Sequence, residues 1–115
     1  MKITIAQLDP MVGDIAGNLA RMVEICARAE GSDLVVFTEL ALVGYPPRDL
    51  LERRWFIERC DRAVEQFARA SADWPGTGTL FGAPTRTGER IGRGLHNSAI
   101  LVEGGRTIAI AHKSL

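Results

Sequence analysis

Leu34-Val35-Val36-Phe37 is a run of four apolar residues, two of them β-branched, set between Gly31-Ser32-Asp33 and Thr38-Glu39. A run this short and this apolar reads as a strand covered on both faces. Leu19, Met22, Val23 and Cys26 precede it at i, i+3, i+4 and i+7, so a helix is indicated from Asn18 with one stripe facing a core, and Gly31 is placed to stop it. Residues 2 to 8 read as an earlier strand, broken by Asp9-Pro10 before a loop holding Gly13 and Asp14. Asp9 and Asp14 suit turn and cap positions.

Beyond Glu39 the pattern changes. Gly44-Tyr45-Pro46-Pro47 is a loop whose paired prolines forbid helix and hold the backbone extended, a stiff mount for Tyr45. Asp49 is then placed to N-cap a second helix over residues 49 to 72. Its core face carries Phe56, Cys60, Ala63, Val64 and Phe67, its wet face carries arginines, and Trp74-Pro75-Gly76 ends it. Three strands follow, over 79 to 83, 97 to 102 and 106 to 111. Glu103-Gly104-Gly105 joins the last two as a hairpin, while the glycine-rich stretch from Thr87 to Gly94 reads as a surface loop. The order βαβαβββ gives the α/β class, a mixed sheet with two helices on one face. No repeat, low-complexity tract or linker divides the 115 residues, so no more than one domain is expected.

Composition removes several functions. At 46% apolar and 24% charged residues the chain can bury a core. Fourteen basic residues offset fourteen acidic ones with no block of like charge, so neither nucleic acid nor an anionic membrane is an expected partner. No apolar stretch has the length of a signal peptide core or a membrane helix, and the expected compartment is the cytoplasm. Cys26 and Cys60 fall on helix stripes as small hydrophobes. With no CxxC pair, and with His96 and His112 far from both in sequence, neither a disulfide nor a metal site is expected. Gly76-Thr77-Gly78 opens like a dinucleotide fingerprint, but Phe81 stands where the third glycine belongs and a strand comes next.

Two strand ends remain. Glu39 follows the buried run and Lys113 closes the last strand. At a sheet rim of low dielectric, a carboxylate near a cation can be tuned as a proton acceptor. Taken alone, Glu39 would be a loop or cap carboxylate, Lys113 a solvated terminal charge, and Tyr45 packing beside its prolines.

Four segments change those readings. They are Ile5-Ala6-Gln7-Leu8 with Val12-Gly13-Asp14-Ile15-Ala16-Gly17-Asn18, the stretch from Asp33 through Glu39 to Gly44-Tyr45-Pro46-Pro47-Arg48-Asp49-Leu50-Leu51, then Asn97-Ser98-Ala99, and finally His112-Lys113. Together they resemble the carbon-nitrogen hydrolase (nitrilase) superfamily, and most closely the N-terminal part of the glutamine amidotransferase domains of glutamine-dependent NAD+ synthetases. The Glu and Lys strand ends belong to the whole superfamily, whereas the GYPPxDLL stretch points to the synthetase branch.

The resemblance implies a Glu-Lys-Cys triad on an α-β-β-α sandwich, of which residues 1–115 would be about the first half. By position, Glu39 resembles the general base, Lys113 the lysine that stabilises the tetrahedral intermediate, and Tyr45 a residue of the glutamine pocket. The cysteine nucleophile should lie downstream of Lys113; Cys26 and Cys60 both precede it and sit inside helices, so these residues alone are expected to be inactive. The implied reaction is glutamine hydrolysis, with ammonia passed to a synthetase domain outside these residues. The hydrolase part needs no cofactor, ATP and Mg2+ belong to the synthetase domain, and a homo-oligomer is expected. Two other readings remain at this point: a stand-alone amidase of the same superfamily, and a non-catalytic α/β binding or assembly module.

Overall fold

The computed structural model describes residues 1–44, 48–86 and 95–114. Five strands form one mixed sheet in sequence order: β1 (Ile3–Ala6), β2 (Leu34–Phe37), β3 (Gly78–Arg86), β4 (Leu95–Glu103) and β5 (Arg106–Ser114). The first three pair in parallel and the last three antiparallel. The two parallel crossovers hold α1 (Ile15–Arg28), then a short α2 (Arg48–Leu51) and a long α3 (Arg54–Ala70). Right-handed crossovers that step the same way along a sheet put their helices on the same face. Side chains confirm this: Cys26 of α1 meets Thr79 of β3, and Phe67 of α3 packs edge-on against Phe37 of β2 and Phe81 of β3. The α/β architecture read from the sequence, a mixed sheet with both main helices on one face, is the one observed.

Several boundaries differ. Helix α1 starts at Ile15 rather than Asn18, because Asp14 caps it by accepting a hydrogen bond from Gly17 N. That frees Asn18 for another use. The helix expected over 49 to 72 is two helices, with Arg53 extended between them at φ −90°, ψ 120°, so Asp49 lies within α2 and caps nothing in α3. Hydrophobic phase accounts for the break. At 100° per residue, one continuous helix would carry Leu50 about 80° and Leu51 about 180° from the middle of the stripe of Phe56, Ile57, Cys60 and Phe67. Both leucines instead pack against the core.

The β4–β5 hairpin closes with two residues, since Glu103 pairs with Arg106 across the turn. Gly104 and Gly105 have φ of +62° and +89°, the pair of positive torsions a type I′ turn demands. The stretch from Thr87 to Gly94 lies outside the described residues.

Among the described residues, only one face of the sheet is covered. Val35 and Phe37 are buried against the helices, but Leu34 and Val36 on the opposite face are half-buried, and their β1 partners Ile3 and Ile5 are 51% and 78% exposed. The run from Leu34 to Phe37 is therefore covered on one face, not two. Its apolar character belongs to a strand whose second face is made to be covered.

Candidate active site

β2 ends at Phe37, and the chain turns sharply there. Ala41 N donates to Thr38 O at 3.2 Å and Gly44 N to Leu40 O at 2.7 Å, folding residues 38–44 into a compact elbow. Leu40 has φ +56°, the one positive value outside glycine among the described residues. Backbone strain of this kind costs on the order of 1 kcal/mol and persists where surrounding structure imposes it. Here the imposing structure is visible: Leu40, Ala41, Leu42 and Val43 are all buried.

Asn18, 1% exposed, locks the elbow from behind. Its Nδ2 donates to Leu42 O at 3.0 Å and Met11 O at 2.9 Å, and its Oδ1 accepts from Met11 N at 3.0 Å. Gly13 N adds a bond to Val43 O at 3.0 Å. The elbow is thereby tied to the β1–α1 loop.

The elbow delivers Glu39 over the uncovered face of the sheet, at the carboxyl ends of the parallel strands. On that face Asn97 of β4 and Lys113 of β5 are register partners, so their side chains stand side by side. Asn97 Nδ2 donates to Glu39 Oε1. Glu39, Asn97 and Lys113 line one open cleft of about 370 Å³, with Gly82, Ala99 and Ala111 among its other lining residues. Glu39 and Lys113 are exposed rather than set at a low-dielectric rim, for the same reason that Ile5 is: no layer lies over this face among the described residues.

The orientation of Lys113 is set from the other side of the sheet. His112 points toward the helices, where its Nδ1 lies 2.8 Å from Ser98 Oγ and 3.4 Å from Thr85 Oγ1, and its ring stacks on that of His96 with centroids 4.6 Å apart. A strand alternates its side chains, so anchoring His112 on one face directs Lys113 to the other. Tyr45 lies outside the described residues. Among the described residues, no three His, Cys, Asp or Glu side chains gather to hold a metal ion, and no helix is long and apolar enough to cross a membrane.

Residues 2–115 match the carbon-nitrogen hydrolase family. The chain belongs to that family. The glutamine-dependent NAD(+) synthetase of Synechocystis sp. is 39% identical to it over 118 residues, which cover 98% of this chain and 21% of that protein. The chain thus spans about a fifth of the length of the curated relatives it matches. Among solved structures, the glutamine-dependent NAD(+) synthetase from Cytophaga hutchinsonii superposes with a TM-score of 0.82 at 21% identity, covering 98% of this chain and 19% of that one. A nitrilase-superfamily amidase from Nesterenkonia AN1 superposes with a TM-score of 0.84 at 24% identity, covering 100% of this chain and 43% of that one. At these identities the structural likenesses speak to the fold alone.

A carbon-nitrogen hydrolase working through a thioester needs a thiolate, and burial favours the neutral thiol at both cysteines here. Burial pushes the Cys26 thiol up to about 11, tempered by Thr79, and pushes Cys60 up to about 12 with help from the Asp61 carboxylate. Both are buried on the helical side of the sheet. Asn97 and Asn18 received no site role from sequence reasoning. For Asn97 the signal was incomplete: counting back from the glycine turn pairs it with His112, and it is the β-bulge between Leu101 and Val102 that brings it opposite Lys113.

Proposed function

We propose that these residues are the front of a glutaminase domain in a glutamine-dependent NAD+ synthetase, with Glu39 as general base and Lys113 as the cation for the oxyanion. The observation that carries the reading is the meeting of Glu39, Asn97 and Lys113 in one cleft, although Glu39 and Asn97 are 58 positions apart. The branch rests on the curated relatives, which are glutamine-dependent NAD(+) synthetases.

In this reading a cysteine from a segment after Lys113 enters the cleft from its open side. Glu39 takes the thiol proton as the sulfur attacks the glutamine side-chain carbonyl. Charge then develops on the carbonyl oxygen, where the compact ammonium of Lys113 stabilises it. Collapse of the tetrahedral species releases ammonia, which leaves with the proton held by Glu39. Water completes the cycle by hydrolysing the thioester, with Glu39 accepting a proton from it. Asn97 keeps the carboxylate aimed throughout, and Tyr45 contributes to the glutamine pocket. A layer brought over the uncovered sheet face would also remove Glu39 and Lys113 from water and strengthen every interaction between charges there. Ammonia passes to the ATP- and Mg2+-dependent synthetase part. By themselves residues 1–115 are inactive for want of a competent thiol.

The test is made in the full-length protein. Glu39→Gln and Lys113→Met should each abolish thioester formation with glutamine and leave ammonia-dependent synthesis intact. Glutaminase turnover retained in either variant would remove the role assigned to that residue.

A further inference from the structure

We propose that Gly82 is a positioning residue for this site: its missing side chain is the space in which the Glu39–Leu40 peptide rests against the sheet. The inference deepens the reading of Glu39 as the base. Gly82 is buried in the middle of β3, and a methyl group there would stand 2.5 Å from Leu40 N, 3.1 Å from Glu39 Cα and 3.2 Å from Glu39 C. All three atoms are backbone, so no side-chain rotation relieves the overlap. Ordinary contact begins near 3.4 Å. The backbone of Gly82 is not in the left-handed region, so what this position requires is room and not a special torsion.

The elbow has no slack with which to absorb the clash. It is held by its own turn bonds, by the positive φ of Leu40 and by Asn18 behind it. Gly82 also pairs across β4 with Ala99, and Ala99 with Ala111 on β5, so the elbow and the cleft lie over a row of the smallest side chains. The next row on the same face, Asn97 and Lys113, carries the polar groups. An added methyl would therefore lift Glu39 off the sheet by about 1 Å while Asn97 and Lys113 stay where their own strands hold them. Misplacement on that scale costs about 10²-fold in rate.

Gly78 supplies the matched control. It lies on the same strand and the same face, but a methyl there would meet Leu34 Cδ1 at 3.4 Å, Leu101 Cδ1 at 3.5 Å and Glu103 Oε1 at 3.6 Å, all ordinary contacts. Two measurements decide the matter. In NMR spectra of this chain, Gly82→Ala should move the Asn97 side-chain amide and the backbone amides of residues 39–44 while leaving those of Val35 and Ile100 in place; Gly78→Ala should leave all of them unmoved. In the full-length protein, Gly82→Ala should lower glutaminase kcat about 10²-fold with KM nearly unchanged and ammonia-dependent synthesis intact, against wild-type values for Gly78→Ala. An unmoved elbow in a folded Gly82→Ala chain overturns the proposal. So does global unfolding of that variant beside a folded Gly78→Ala, which would make the role purely structural. If glutamine proves not to be the substrate, the spectra still decide whether Gly82 seats the elbow.

Discussion

Asn97 donates its side-chain amide to Oε1 of Glu39, joining the middle of the sheet to the turn after β2. Asn97 is fixed by register between β3 and β5, whereas Glu39 rides on an elbow, so the bond sets the direction of the carboxylate. A hydrogen bond to a charged group contributes about 1.5–3 kcal/mol, which is about 10- to 100-fold in rate if it acts in the transition state. On the proposed glutaminase reading, Asn97→Ala in the full-length protein should lower kcat by that factor with a smaller change in KM. Asn97→Asp, of the same shape but without the donor, should be no better. Full activity in the Asp variant would show that the amide is dispensable.

Asn18 makes three hydrogen bonds to backbone groups of two separate loops. Removing them strands Leu42 O, which belongs to a residue with no exposed surface, and loosens Met11. Asn18→Ala should therefore lower unfolding free energy by about 2–3 kcal/mol. Asn18→Asp should cost more, because a carboxylate would face two carbonyl oxygens. Urea denaturation measures both, and amide exchange at Gly13, which donates to Val43 O, should quicken in the Ala variant.

The core depends on Phe67, fully buried and in edge contact with Phe37 and Phe81, with ring centroids 6.2 and 4.9 Å away. Phe67→Ala should cost about 3–5 kcal/mol through lost burial and the cavity left behind. Trp55 lies on the same helix but is 51% exposed, with Arg59 over its ring and Phe56 edge-on to it. Trp55→Ala should cost about 1 kcal/mol or less. Equal losses at the two positions would contradict the packing described.

Signals local to the chain were legible in the sequence. The stripe of Met22 and Cys26, the apolar run ending at Phe37 and the glycine pair at the hairpin each follow from spacing or torsion demand, and they locate α1, β2 and the β4–β5 turn. Glu39 and Lys113 became candidates because both stand at strand ends and match a family pattern. The break at Arg53 is not carried by the stripe from Phe56 to Phe67, which runs back to Asp49 without interruption unless the phase of Leu50 and Leu51 is weighed against it. Asn18 reads as a helix start in the sequence, since a buried asparagine and a capping one look alike until its partners, Met11 and Leu42, are known. The exposure of Glu39 could not be read at all: burial of the second sheet face depends on what covers it, and nothing in the period of Leu34 to Phe37 distinguishes a covered face from one that awaits cover.

The two buried thiols give the fold a defined alkaline limit. In the unfolded chain both ionise near 9.0, while in the folded chain burial holds Cys26 to about 11 and Cys60 to about 12. Between those values the folded state binds more protons than the unfolded one, so stability is whole below pH 9 and is lost as pH rises toward the folded values. At pH 10 the loss is on the order of 1 kcal/mol per thiol, so about 2–3 kcal/mol for the pair. Unfolding free energies at pH 8 and pH 10 should thus differ by about 2–3 kcal/mol more in the native sequence than in a chain carrying both Cys26→Ala and Cys60→Ala. The double variant starts from lower stability at pH 8, because it removes packed sulfur, but its pH dependence should be flatter. Parallel losses in the two chains would mean that other groups set the alkaline limit.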